Sequence, residues 1–187
     1  MIYDADNHLY YTDDMVPVKS VTQILKDNNL GPDYNSIPPD VLEYARNRGE
    51  CVNQAVDMYD NGTLDIETLE PEIKLYLDQW IAFKKEYAVK VIDAQKIVYN
   101  EEYEYCGTYD IKVKLNNTKD ICIIELKCTS SRPKSHRWQA AAYRLADKAD
   151  IAIVLYLTKD KFKVYEVTRE HEEIFLAAAL LSKVRGL

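Results

Sequence analysis

Two apolar stretches, Ile121-Cys122-Ile123-Ile124 and Ile151 to Leu157, flank an alanine-rich segment, Ser135 to Asp147. Near-continuous apolar runs suit strands covered on both faces. A helix between two such strands suits a crossover connection in one sheet. The hydrophobic period also changes near residue 91. Before it, Val41, Leu42, Ala45, Val52, Ala55, Val56 and Tyr59 mark a helix opened by Pro38-Pro39-Asp40 and closed by Asn61-Gly62. A second follows Glu70-Pro71-Glu72, its early acids matching the helix dipole. Ser20 is a plausible N-cap for a shorter helix over 20–25, and residues 1–12 suggest a hairpin with a turn at 4–7. After it come strands over 91–99, 103–115 and 120–127, the helix 135–147, strands over 151–157 and 162–167, and a last helix over 170–184. The expected architecture is α/β: a mixed central sheet flanked by helices, with a helical N-terminal region. We expect one domain over 1–187, mainly helical over 1–90, with the sheet core over 91–187.

Composition narrows the classes. A hydrophobic fraction of 47% supports a substantial core. No apolar run approaches the roughly 18–20 residues that cross a bilayer. The N-terminus has no basic, then apolar, leader pattern, so a cytoplasmic protein is expected. Cys51, Cys106, Cys122 and Cys128 form no C-x-x-C pair, and thiols are expected of all four. The net charge of −7 argues against a chain-wide electrostatic grip on nucleic acid, but not against a local basic groove. Fifteen tyrosines suit packing, with base stacking by a few.

The chemistry concentrates between Gly107 and Tyr143. On the second strand, Tyr109, Ile111, Val113 and Leu115 should share one face, and Thr108, Asp110, Lys112 and Lys114 the other. On the third, Glu125 and Lys127 share a face with Ile121 and Ile123. If the strands pair through the turn at 116–119, Asp110 and Glu125 converge. Two carboxylates on a rigid sheet make an oxygen site for Mg²⁺ or Mn²⁺, which polarises phosphate and activates water. Lys127 could orient that water or stabilise developing charge. Gly107 removes a side chain where a ligand could approach. Cross-strand ion pairs are an ordinary use of such residues. Against that reading, Glu125 interrupts an apolar strand, where a carboxylate is costly unless paired or metal-bound. Arg132, Lys134, Arg137, Arg144 and Lys148, with His136 among them, form a basic patch able to hold a phosphate backbone. Gln139 and Tyr143 lie one helical turn apart and could bind phosphate or base, while Trp138, Ala142 and Leu145 pack on the sheet.

The ordered set Gly107…Asp110, Glu125-Leu126-Lys127 and Gln139…Tyr143 resembles the PD-(D/E)xK nuclease superfamily, in its RecB-like branch. That branch carries G-x-x-D, (D/E)-h-K and Q-x-x-x-Y in this order. Ser20-Val21-Thr22-Gln23-Ile24-Leu25 is similar to the opening of phage-type exonucleases, and Arg48-Gly49-Glu50-Cys51-Val52-Asn53 to the family's R-G-x-x-h-H segment. The resemblance spans about residues 17–165. It implies a restriction-endonuclease-like core and a divalent-metal-dependent deoxyribonuclease, an exonuclease before an endonuclease, in phage-type recombination, replication or repair. It implies Asp110, Glu125, Lys127, Gln139 and Tyr143 as catalytic residues, and Asp110, Glu125 and the Leu126 backbone as metal ligands. Arg48, Arg132, Lys134 and Arg137 would hold single- or double-stranded DNA ends. Asn53 stands where the family places a ligating His; Asn offers an oxygen to Mg²⁺ but is the poorer ligand for transition metals. Asp57, one turn on, is a candidate substitute. With no cysteine after Cys128, no iron–sulfur cluster is expected. Homo-oligomerisation is left open. The alternatives are a weakened nuclease fold that binds DNA or a protein without cutting, and a glycoside hydrolase using Asp110 and Glu125 as its acid/base pair.

Overall fold

The computed structural model describes residues 1–4, 9–116 and 118–185. Strands β1 (Ile2–Asp4), β2 (Leu9–Tyr11) and β3 (Pro17–Ser20) precede helices α1 (Val21–Asp27), α2 (Pro39–Asp60) and α3 (Pro71–Glu86). Then follow β4 (Val89–Asn100), β5 (Tyr105–Leu115), β6 (Ile121–Lys127), α4 (Ser135–Asp147), β7 (Ile151–Leu157), β8 (Phe162–Glu166) and α5 (Arg169–Arg185). The expected order of helices and strands holds; β3 is an addition that the sequence reading missed. The turn expected at 4–7 falls largely outside the described residues.

Local chemistry explains the main boundaries. Ser20 opens α1 with a reciprocal capping box: the Gln23 amide donates to Ser20 Oγ at 3.1 Å, and the Ser20 amide donates to Gln23 Oε1 at 2.8 Å. Prolines at the first positions of α2 and α3 give up an amide that would be unpaired there anyway. Lys148 ends α4 in the left-handed conformation, at φ 61°.

The strands form one eight-stranded mixed sheet, ordered β1-β2-β3-β5-β6-β7-β8, with β4 alongside β5. β6 and β7 run parallel, with α4 making the expected crossover. Helices cover both faces. On one, Val21, Ile24, Tyr105, Tyr143 and Phe175 share a core with the strand residues Ile123 and Val154. On the other, Val52, Leu77, Trp80 and Phe83 pack on Ile111, Val113, Ile124 and Leu155. Each such large side chain, fully buried, is worth about 1.5–3 kcal/mol. The Tyr105 hydroxyl donates to the Ala142 carbonyl at 2.9 Å, and Lys112 meets Asp147 at 2.7 Å, so α4 is fastened to β5 at two points.

β5 carries an irregularity that positions the site. Its start, Tyr105 and Cys106, pairs with β3, while Ile111 to Lys114 pair with β6. Both partners lie on the same edge, because β4 takes the other along nearly its whole length. Residues 107–110 therefore sit at a fork between β3 and β6. The alternation expected of β5 breaks there: Tyr105 and Tyr109 enter the core under α4 and α5, whereas Ile111 and Val113 enter the opposite core. The change of face falls where β5 changes neighbours along this edge. Across the ladder from Asp110 lies Gln95, in the left-handed region at φ 49°.

Candidate active site

The fork places Asp110 and Glu125 side by side. The antiparallel register Ile111↔Ile124 continues to Asp110 opposite Glu125, but the paired ladder stops one step earlier. The Leu126 amide, which would otherwise face the β5 backbone, donates to Asp110 Oδ2 at 2.8 Å. The carboxylate thus replaces a missing ladder bond, and that bond fixes its aim.

Glu125 is 1% exposed. Its Oε1 meets Lys127 Nζ at 2.5 Å, and its Oε2 is buried with no hydrogen-bond partner among the described residues. Burial, and then the nearby Asp110 charge, push its carboxyl up to about 8 despite Lys127. Burial also raises Asp110, opposed by Lys127, the Leu126 amide and Gln95. Desolvation works against the Lys127 ammonium, but Glu125 and Asp110 outweigh it and hold it charged above the ordinary lysine range. Two carboxyls beside one ammonium balance when they keep a single proton between them.

Among the described residues no three His, Cys, Asp or Glu side chains gather to hold a metal. The fit must therefore be to two carboxylates plus other oxygens. An unpartnered buried carboxylate oxygen, a second carboxylate opposite it and the Leu126 backbone between them form a hard-oxygen set suited to Mg²⁺ or Mn²⁺. Asn53 borders this region: it lines a cavity of about 350 Å³ with Asp110 and Gln95, and a groove of about 520 Å³ with Leu126 and Lys127. Its placement follows from the buried Val52, Ala55 and Val56, which fix the rotation of α2. Asp57 lines the first cavity and accepts from Asn61 Nδ2 at 3.1 Å.

Gln139 and Tyr143 form a brace. Gln139 Nε2 donates to the Tyr143 hydroxyl at 3.1 Å, and Tyr143 is 4% exposed. The space left by Gly107 is filled by this ring and not by ligand: a Cβ there would stand 2.5 Å from Tyr143 Cε1. Leu145 stays outside both cores, and Ala140, Ala141 and Ala142 are buried instead.

The expected basic patch is divided. Arg132, Lys134 and Arg137 stand at the N-terminal end of α4, near the end of β6. Arg132 and Arg137 lie over the Tyr165 ring at 5.4 and 5.9 Å. Arg144, at the other end of the helix, is taken up by Glu172 at 2.6 Å and by the Ala149 carbonyl. Lys148 is exposed beyond it. Helical rise separates these ends, a fact that sequence adjacency hides. Arg48 Nη2 donates to the Cys128 carbonyl at 2.9 Å, so the arginine ties α2 to the end of β6 at the groove. The cysteines are free thiols; burial pushes Cys106, Cys122 and Cys128 up to about 12. Gln95 and the pairing of His136, a member of the expected basic patch, with Tyr156 were not singled out in the sequence. Only the left-handed backbone of one and the burial of the other mark them, and neither shows in one sequence.

A mixed sheet flanked by helices is a fold this chain shares with solved exonuclease structures. A Eubacterium rectale protein assigned as an exonuclease matches 92% of this chain and 74% of its own, at 16% identity and TM-score 0.50. LHK-Exo, an alkaline exonuclease of Laribacter hongkongensis solved in complex with dAMP, matches over 90% and 88%, at 8% identity and TM-score 0.50. The likeness to SSO0001 is partial, over 58% of this chain and 56% of that one, at 20% identity and TM-score 0.38. No protein-family model and no curated protein matches the sequence. Among the described residues, no helix is long and apolar enough to cross a membrane.

Proposed function

We propose that this chain is a divalent-metal-dependent deoxyribonuclease of the PD-(D/E)xK type, acting as an exonuclease on DNA ends in phage-type recombination, replication or repair. The observation that carries the reading is the junction of Asp110, Glu125 and Lys127 at the fork, with Glu125 Oε2 left unpartnered. Asp110, Glu125 and the Leu126 carbonyl would hold Mg²⁺ or Mn²⁺, with Asn53 at the border. Bound there, the ion supplies Lewis acidity toward a phosphate oxygen and a more acidic water. Lys127 holds its proton beside Glu125 and offers positive charge to the phosphate. Tyr143, braced by Gln139, fills the space over Gly107 and keeps β5 in place behind Asp110. Arg48, in the groove, and Arg132, Lys134 and Arg137, at the N-terminal end of α4, attract the strand.

The test is cleavage of end-labelled linear DNA in Mn²⁺, with and without chelator. Asp110→Asn and Lys127→Ala should each reduce the rate by at least 100-fold, the scale of losing charge stabilisation in a catalytic site. Variants as active as the parent would refute the site. A second reading, a nuclease fold that binds DNA without cutting, is favoured by one observation: Asn53 stands at the cavity where His would add the nitrogen ligand. Binding of Mn²⁺ through Asp110 without any cleavage would support it.

A further inference from the structure

The groove beside Lys127 contains a group that the nuclease reading does not use. His136, the second residue of α4, lines this groove with Lys127, Arg48 and Asn53. The residue is 8% exposed, and its Nδ1 stands 3.0 Å from the Tyr156 hydroxyl. Tyr156 lies directly across from Lys127 in the parallel β6–β7 register. The tyrosine is itself held edge-on by Tyr165 at 5.5 Å, the ring over which Arg132 and Arg137 sit. The imidazole is therefore fixed on its inner side. Its other nitrogen, Nε2, has no hydrogen bond among the described residues, yet it is not among the sealed, unpartnered atoms, as Ser135 Oγ and Glu125 Oε2 are. An atom that is neither paired nor sealed keeps some exposure, and the groove is the space this residue lines.

We infer that His136, anchored through Tyr156, is a neutral hydrogen-bond donor to a phosphate oxygen of a DNA strand lying in the groove beside Lys127. This rests on the nuclease reading and adds a substrate contact to it. In the tautomer this contact requires, the Tyr156 hydroxyl donates to Nδ1 and the proton sits on Nε2. Burial and the Lys127 charge favour this uncharged form, lowering His136 to about 3. A neutral donor suits the place: a second full charge against Lys127 would be repelled, whereas an N–H adds direction at little electrostatic cost. A core histidine satisfied at both nitrogens would have no such free edge.

Only three histidines occur in the chain, so selective ¹⁵N-histidine labelling resolves the question in the intact protein. The probe is the oligonucleotide (dT)₆ with Ca²⁺ in place of Mg²⁺, its binding followed in parallel by fluorescence anisotropy. Saturation should move the His136 Nε2 resonance, assigned by its loss in His136→Asn. His136→Phe, which keeps a ring but no donor, should weaken (dT)₆ binding by about tenfold or more, as expected for a bond to a charged group. Its kcat on DNA should change less than its KM. Tyr156→Phe should weaken binding by a smaller factor by freeing the tautomer. If the protein binds and cuts DNA while the His136 resonance stays still, the inference fails and the nuclease reading stands. A parent protein that neither binds (dT)₆ nor cuts DNA sinks both. Should His136→Phe fail to fold, the resonance shift in the parent decides the matter.

Discussion

Replacing Glu125 by glutamine should change how the metal-free protein's stability depends on pH. In the folded chain the Glu125 carboxyl is pushed up to about 8, by burial first and by Asp110 second, from an ordinary value of 4.5. Between those values the folded state keeps the proton and the unfolded state releases it. The unfolded state therefore gains as pH rises, by about 1.4 kcal/mol per pH unit. Stability from this group is greatest below pH 4.5 and falls toward pH 8. Asp110 is raised as well and acts with the same sign, while Lys127 titrates above this range in both states. From pH 5.5 to 7.5 the parent should lose roughly 2–3 kcal/mol relative to Glu125→Gln, about 5–10 °C in melting temperature for a chain of this length. The assay is thermal unfolding of both proteins in EDTA at pH 5.5, 6.5 and 7.5, repeated in excess Mn²⁺. Using the difference between the two proteins cancels the titrating groups that do not interact with Glu125 and leaves the coupled Asp110–Glu125–Lys127 cluster. Mn²⁺ should oppose the trend in the parent, since it binds the ionised carboxylate, and should do little for the variant. A difference that is flat with pH, or that grows in the parent's favour, would show that Glu125 is ordinary in the folded state and would remove the physical case for a metal there.

Two further changes test the surroundings. Gly107→Ala puts a Cβ 2.5 Å from Tyr143 Cε1 and 3.3 Å from Val21 Cγ2, an overpacking that should cost about 1–3 kcal/mol in denaturant melts. Adding Tyr143→Leu should return part of that loss; a neutral Gly107→Ala would refute the packing role of the glycine. Asn53→His should tighten Mn²⁺ binding on the order of tenfold in titration calorimetry while leaving Mg²⁺ nearly unchanged, because imidazole favours the softer ion. Equal effects on both metals would place residue 53 outside the ligand set.

The sequence showed best where one element decides its own form. The N-cap at Ser20, the prolines opening α2 and α3, the alanine-rich α4 and the apolar β7 each carry a local pattern that tertiary packing had no reason to override. β3 is not legible locally because four residues, Pro17-Val18-Lys19-Ser20, have no period to read, and only pairing with β2 and β5 makes them a strand. Gly107 shows the same limit at the site. Its lack of a side chain was visible, but the ring that needs the space comes from Tyr143, 36 positions further on.

By itself, the sequence determined the order of every element but β3, and the identity and succession of the chemical groups: Asp110, Glu125, Lys127, then Gln139 and Tyr143. Those depend on residue type and local period, which are one-dimensional properties. Only the tertiary structure decided how they meet. At the fork in the sheet, where β5 leaves β3 for β6, the strand's alternation breaks, Asp110 meets the Leu126 amide and Glu125 Oε2 has no partner among the described residues. Tertiary packing also paired Arg144 with Glu172 and set His136 on the groove beside Lys127. Exposure, register and pairing arise between segments far apart in the chain, so no local pattern encodes them.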